Sequence, residues 1–312
     1  MEKNAKILVI GHDDVIERSL VDYLKKSGFG NVRTAGALHL DLQQRTQADE
    51  FFSREKIDYV FLGSVRSGGI EANQKLAADF LLENLCAQNN VIRAAHQNNV
   101  KKLLYLASSC IYPKDSAQPL REDSLLTGPL EETSAPYAVA KIAGVKTCQA
   151  FRKQYGMNAV VAVPATVYGP GCETDLATAH VLGALLAKFH RAVEERSPEV
   201  SVWGSGAPRR EFIFADDFAE AAALLMDNYD GEAQVNIGCG EDVSIRELAA
   251  LLAGVTGFKG KIVFDASKPD GVKQKLLDNT ALTKMGWKPK IRLQEGLERT
   301  YQWYKQSALQ ER

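Results

Sequence analysis

At 312 residues, the chain is long enough for one large α/β domain or two smaller lobes. Its 38 Lys and Arg stand against 39 Asp and Glu, a formal charge of −1, which excludes the basic footprint of a nucleic-acid binder or a binder of anionic membrane surfaces. The longest apolar runs, such as residues 160–163, fall far short of a bilayer span, and the few apolar residues between Lys6 and Asp13 make no secretory leader. The cysteines (Cys86, Cys110, Cys148, Cys172, Cys239) are odd in number and scattered, with no metal-ligand spacing. A reduced, cytoplasmic protein without a metal site is expected.

In chain order, "KILVI" (residues 6–10) predicts a buried strand, ended by Gly11 and followed by an amphipathic helix to about residue 26. "DYVFLGS" (58–64) predicts a second buried strand. A helix over about 77–98 leads to "KKLLYLASS" (101–109), and a helix over about 137–155 leads to "AVVAVPATV" (159–167). Strands that are apolar throughout, spaced by helices, predict a doubly wound, parallel Rossmann sheet with ligands beyond the carboxyl ends of its strands. After Tyr168 the rhythm breaks. "SVWGSGAPRREF" and "FDASKPDGVKQKLLD" read as loops of a smaller C-terminal lobe. The expected partition is a dinucleotide-binding domain over 1–165, with 212–237 returning to it, and a substrate-binding lobe over 166–211 and 238–312.

The strongest local signal is Tyr137-Ala-Val-Ala-Lys141 at the start of a helix, where i, i+4 spacing puts both side chains on one face. A free phenol titrates near ~10, and an ammonium a few ångströms away favours the phenolate, making it a usable acid–base group. "ASSCIYP" (107–113) follows a predicted buried strand, where Ser108 is placed to share a substrate oxygen with the tyrosine. Taken alone each pattern also fits a bland role, as a chance helical spacing or as serines capping a strand end.

Together with "SGGIEAN", "NNVIRAAHQNNVKKLLYLASSCIYPK", "PYAVAKIAG", "VYGP", "HVLGALLAKFH", "VWGSGAPRREF", "NIGCG" and "FDASKPDG…KLLD", these residues resemble the GDP-L-fucose synthase family, bifunctional epimerase–reductases of the extended short-chain dehydrogenase/reductase group. The resemblance runs from about residue 50 to the C-terminus. It implies inversion of a GDP-4-keto-6-deoxy-mannose at C3 and C5, then reduction at C4 by NADPH. It assigns Ser108, Tyr137 and Lys141 to reduction, and Cys110 and His180 to proton removal and return. It implies substrate contacts from Lys188, Trp203, Arg210 and Asp278. It implies cofactor contacts from Gly11, Asp41, Leu42, Leu62, Gly63, Ser64, Val65, Leu106, Pro164, Ala165, Thr166, Val167 and His180, besides Tyr137 and Lys141. A homodimer built from the helices over 77–98 and 137–155 would fit the same family. A 6-deoxy-heptose analogue or a related ketose would use the same groups.

The first fifty residues depart from this pattern. The pyrophosphate loop reads "GHDDVIE", with Asp14 and Glu17 where glycines would let the backbone approach the phosphates and let helix and strand pack closely. Asp14-x-x-Glu17 also reads as a capping box that satisfies the helix's own amides. Asp13 stands where the family carries an arginine for the 2′-phosphate, and Arg33 is the only cation near "TAGAL" (34–38). NADP(H) binding is therefore expected to be weakened, or shifted towards NAD(H). Two functions stay open: a working enzyme with altered cofactor binding, or a nucleotide-sugar-binding homologue that lost hydride transfer and serves as a regulatory or assembly partner.

Overall fold

The computed structural model describes residues 1–11 and 15–310. His12, Asp13 and Asp14 lie outside the described residues, so the proposed capping box and the acids at the centre of the loop do too.

The N-terminal half alternates as expected. β1 (Lys6–Ile10), α1 (Val15–Lys26), β2 (Asn31–Thr34), α2 (Arg45–Glu55) and β3 (Tyr59–Leu62) are followed by the short α3 (Ile70–Lys75) and the long α4 (Ala77–Gln97). β4 (Lys102–Leu106), α5 (Ala135–Tyr155) and β5 (Ala159–Pro164) complete the run. The strands form a six-stranded sheet in the order β2-β1-β3-β4-β5 with β9 (Val235–Ile237) at its edge, every pair parallel. β4 and β5 are buried at every position, which is why they read as apolar runs without alternation. α1 packs beside α7 (Ala215–Asn228), while α2, α4 and α5 pack together, so both faces are covered. Because β1 and β3 are neighbours and the chain leaves them in opposite directions, the crevice at their carboxyl ends is a topological switch point.

Beyond β5 the structure corrects two expectations. The run over 159–167 is not one strand. It breaks at Ala165, whose N–H donates to the Ile237 carbonyl, and β6 (Thr166–Tyr168) leaves the main sheet to pair with Phe212–Phe214. The stretches read as loops also contain strands: β7 (Glu199–Trp203), β8 (Arg209–Phe214), the end of β11 (Lys261–Asp265) and β12 (Gln274–Lys275). β7 alternates strictly between exposed and buried, a period-2 signal that its Gly- and Pro-rich surroundings obscure. β10 (Asp242–Ser244), β8 and β12 form a small sheet that β6 joins, and β11 pairs with β7. α6 (Val181–Glu194), α8 (Ile245–Thr256) and α10 (Leu293–Gln310) supply Leu186, Phe189, Leu252 and Leu297 to a second apolar core with Val202 and Phe212. α9 (Thr280–Lys284) follows β12, and its Leu282 packs into the main core.

Glu211 of β8 knits these parts together. Its carboxylate accepts from the N–H groups of Gly240 (2.7 Å) and Leu277 (2.8 Å), and the side chain is buried. Burial pushes its carboxyl up to about 7, against the opposing pull of those N–H donors. Between about pH 4.5 and 7 the folded protein thus holds a proton that the unfolded chain has released, so stability falls as pH rises through that window. Denaturant titrations should lose on the order of 2–3 kcal/mol between pH 5 and pH 7.5. The slope should flatten in Glu211→Gln; an equally steep slope in that variant would assign it elsewhere.

Candidate active site

A cleft of about 680 Å³ opens at the carboxyl ends of β1, β3, β4 and β5, a size suited to a nucleotide-sized ligand. Gly11, Gly63, Ser64, Leu106, Ser108, Tyr137, Pro164, Ala165, Thr166, Val167 and His180 all line it. These residues were singled out in the sequence, and the fold brings them to one place from six separate segments.

Each is positioned by local chemistry. Gly63 donates its N–H to the Ile10 carbonyl at 2.7 Å, and a Cβ there would fall 2.7 Å from the same oxygen. Only glycine lets β3 end so close to β1, and the cleft floor depends on that approach. The next loop is pinned by buried Asn84 of α4, whose Oδ1 accepts from Val65 N and whose Nδ2 donates to the Arg66 carbonyl. Ser108 caps the short turn at Ser109–Ile111, its Oγ accepting from Cys110 N at 3.4 Å. Tyr137 lies in the first turn of α5, its ring edge-on to Phe80 at 6.1 Å. Its phenol oxygen is 2.7 Å from Ser64 Oγ. The resemblance gave Ser64 only as a cofactor contact; the structure puts its hydroxyl on the tyrosine. Lys141, one turn on, is buried with its ammonium 4.4 Å from the Tyr105 ring centroid. Tyr105 Oη donates to Gln88 Oε1 at 2.7 Å, and Gln88 Nε2 donates to the Ala140 carbonyl at 2.8 Å, locking α4, β4 and α5 around that lysine. His180 is the residue before α6 and is exposed.

Cys110 is buried behind the turn and does not line the cleft. Burial pushes its thiol up, against the pull of Lys275, Ser108 and Lys141. Leu62 is buried in β3, and Val65 packs against the main core. Asp41 and Leu42 also lie away from the cleft. Asp41 is exposed with Oδ1 accepting from Gln43 N, and Leu42 is buried. Arg33 pairs with Glu55 at 2.7 Å. Arg18, Arg66 and, from the last helix, Trp303 and Tyr304 line the cleft without having been singled out. Arg66 is held by Glu83 through two N–H···O contacts of 2.7 and 2.8 Å. The aromatic cluster "YQWY" (301–304) was the one sequence signal for the C-terminal wall.

None of the expected GDP-binding residues lines this cleft. Trp203 at the end of β7 is 43% exposed, with Lys268 and Lys188 ammoniums 5.1 and 5.8 Å from its ring. Lys188 donates to the Ser201 carbonyl, and burial pulls its ammonium down. Arg210 pairs with neither Glu211 nor Asp216: its Nη1 donates to the Arg209 and Val272 carbonyls at 2.8 and 2.6 Å. Asp278 has Oδ1 engaged by Thr280 N at 2.8 Å, and contacts to Thr280 hold its carboxyl low.

Residues 7–238 match the family described as "NAD dependent epimerase/dehydratase family". The chain belongs to this family. It is 47% identical over 303 residues to GDP-L-fucose synthase 1 of Arabidopsis thaliana, covering 97% of this chain and 94% of that protein. Among solved structures it is similar to a GDP-6-OMe-4-keto-L-xylo-heptose reductase from C. jejuni, at a TM-score of 0.93 and 36% identity, covering 98% of this chain and 99% of that one. A second likeness is GDP-mannoheptose C4 reductase from Campylobacter jejuni with NADP bound, at a TM-score of 0.88 and 38% identity over 98% of this chain and 99% of that one. Among the described residues no helix is long and apolar enough to cross a membrane, and no cluster of His, Cys, Asp or Glu has metal-holding geometry.

Proposed function

We propose that the chain inverts C3 and C5 of a GDP-4-keto-6-deoxy-mannose, or a closely related GDP-keto-sugar, and then reduces C4 with NADP(H). The carrying observation is that Ser108, Tyr137 and His180 line one cleft, with Lys141 one helical turn beyond the tyrosine. The cleft fits a dinucleotide: its glycine floor admits backbone approach at Gly63, and Pro164–Val167 form a wall beside it. Gly11, Leu62–Val65, Leu106 and Pro164–Val167 would hold the cofactor, with Asp41 and Leu42 towards its adenine and Lys141 on its nicotinamide ribose. A nicotinamide bound there supplies the hydride for C4.

The chain's own groups do the rest. Protons on carbons beside the C4 ketone are acidic because the enolate is stabilised. Cys110 removes one from one face, and His180 returns one to the other. Ser108 holds the ketone oxygen, and Tyr137 gives it a proton as it becomes an alkoxide. Lys188, Trp203, Arg210 and Asp278 hold the GDP part by stacking and charge-assisted contacts. The reading places residues 1–165 and 212–237 in the cofactor domain and 166–211 and 238–312 in the substrate lobe. The protein works in the cytoplasm as a homodimer, for which exposed Leu82 of α4 and Val139 of α5 support a contact face.

Deuterium uptake at C3 and C5 from heavy water tests the epimerase half. Cys110→Ser and His180→Gln should each slow it by about a hundredfold or more, and affect reduction of an already inverted substrate less. Wild-type exchange in both variants would remove these residues from the inversion.

The glycine-poor loop is expected to weaken the cofactor grip. Each acid within several ångströms of the pyrophosphate costs on the order of 1 kcal/mol at a surface-like dielectric, and ~1.4 kcal/mol is tenfold in affinity. Asp14→Gly with Glu17→Gly should therefore tighten NADPH by up to about a hundredfold in calorimetry. Affinity of the unaltered protein should improve with salt. Sub-micromolar binding that the double change leaves alone would refute this. Absence of dinucleotide binding in both forms would favour the cofactor-free partner.

A further inference from the structure

The contact between Ser64 and Tyr137 is built from both sides. Ser64 follows Gly63, whose N–H is bonded to the Ile10 carbonyl and where a Cβ would fall 2.7 Å from the same oxygen. On the other side stands Asn84 of α4, which is buried. Its Oδ1 accepts from the N–H groups of Val65 at 3.1 Å and Arg66 at 3.4 Å. Its Nδ2 donates to the Arg66 carbonyl at 2.9 Å and to the Phe80 carbonyl at 2.8 Å. Phe80, one turn back on α4, lays its ring edge-on against Tyr137. One helix thus fixes the backbone that carries the serine and the ring that carries the phenol, and the two side-chain oxygens stand 2.7 Å apart. While both groups are neutral, either hydroxyl can be the donor. A phenolate has no proton and can only accept, so once Tyr137 has given its proton away Ser64 is the donor of this pair.

We propose that Ser64 is a positioning residue whose hydroxyl donates to the Tyr137 oxygen as that oxygen gives up its proton, steadying the phenolate that C4 reduction leaves behind; this rests on the function proposed above. In the step, C4 takes the hydride of NADPH and the carbonyl π pair becomes a lone pair on the C4 oxygen. The Tyr137 O–H bond breaks and an O–H bond forms on the C4 oxygen, leaving its electron pair on the phenol oxygen. Ser64 keeps its own proton throughout, and its hydrogen bond strengthens because the acceptor becomes charged. A donor aimed where charge develops favours the transition state over the ground state. The titratable groups on the elements around the phenol are Lys141 on its own helix, Glu132 in the turn leading into that helix, Tyr105 of β4 and Cys110 of the turn at Ser109–Ile111. His180 and Arg66 line the cleft, with Arg66 held by Glu83 of α4. All of them remain in Ser64 variants, so a difference between those variants reports on the one hydroxyl.

The first measurement needs no turnover. The near-ultraviolet phenolate band is titrated against pH, and the part due to Tyr137 is the difference from the same titration with Tyr137→Phe added. In Ser64→Ala the midpoint of that part should rise by about one pH unit, because a donor to the charged form is gone. The second measurement is reduction of an already inverted substrate. In Ser64→Ala, kcat should fall about tenfold or more, and the alkaline limb of its pH profile should move up with the phenol. KM for the sugar and calorimetric affinity for NADPH should stay within about threefold. Ser64→Thr and Ser64→Val have similar bulk and differ in the hydroxyl; threonine should keep the lower midpoint, and valine should match alanine. An unmoved midpoint in folded Ser64→Ala overturns the proposal, as do threonine and valine variants that titrate alike. So does a loss of kcat/KM that follows NADPH affinity with the midpoint unmoved, which would put the hydroxyl on the cofactor. If the midpoint moves as expected but no GDP-keto-sugar is reduced, the hydrogen bond keeps its role and the proposed reaction fails.

Discussion

Tyr137→Phe is expected to lower kcat for C4 reduction by about a thousandfold while leaving the GDP-sugar dissociation constant within a factor of two or three. A positioned acid is worth roughly two to four orders of magnitude, and on the proposed function the Tyr137 phenol is the one that protonates the C4 oxygen. Phenylalanine keeps the ring against Phe80 and the start of α5, so the change removes one hydroxyl and little packing. It also frees Ser64, whose Oγ sits 2.7 Å from that hydroxyl. Stopped-flow loss of nicotinamide absorbance, with calorimetry for binding, separates the two quantities. An equal loss in kcat and kcat/KM marks an interaction made in the transition state. Turnover within tenfold of the unaltered protein would take the proton-donor role away from Tyr137.

The largest expected loss of stability comes from Gly144→Ala. Gly144 lies mid-way along α5, and a Cβ there would stand 2.2 Å from both Cζ and Oη of Tyr105. Tyr105 cannot yield: it is fully buried and its hydroxyl is tied to Gln88. Overpacking of this kind costs ~3 kcal/mol or more, against the small gain that alanine normally brings to a helix. The same ring supports the Lys141 ammonium, so surviving activity should fall as well. Gly254→Ala is the control, because a Cβ at that position in α8 meets no atom within 4 Å. It should be neutral or mildly stabilising. Urea midpoints for the two variants that agree to within 0.5 kcal/mol ~ the usual surface range ~ would refute the account.

The parts of this molecule legible in its sequence are those where one residue type has one physical use. Buried parallel strands must be apolar throughout, so β1, β3, β4 and β5 announce themselves, and with them the switch-point cleft. Tyr137 and Lys141 are readable because helical spacing alone sets their relation. The β5–β6 break was not readable, because β-rich sequence continues across Ala165 while the pairing partner changes from one sheet to another. β8 was hidden because its first positions are arginines, which the small sheet accommodates at a partly exposed end. The contact of Ser64 with Tyr137 was not readable, because nothing local marks a contact with a residue 73 positions away.

The passage at Ala165 has a mechanical consequence. The chain leaves the six-stranded sheet at Pro164 and is bonded into the other sheet from Thr166, with Ala165 itself tied to Ile237. A linker of one residue has no slack, so this junction cannot act as a swivel. Any tilt of the sheet holding β8 must pull on the segment 164–167 that walls the cleft. A load on Arg210 at the start of β8 therefore arrives at the cleft wall with no hinge between to absorb it.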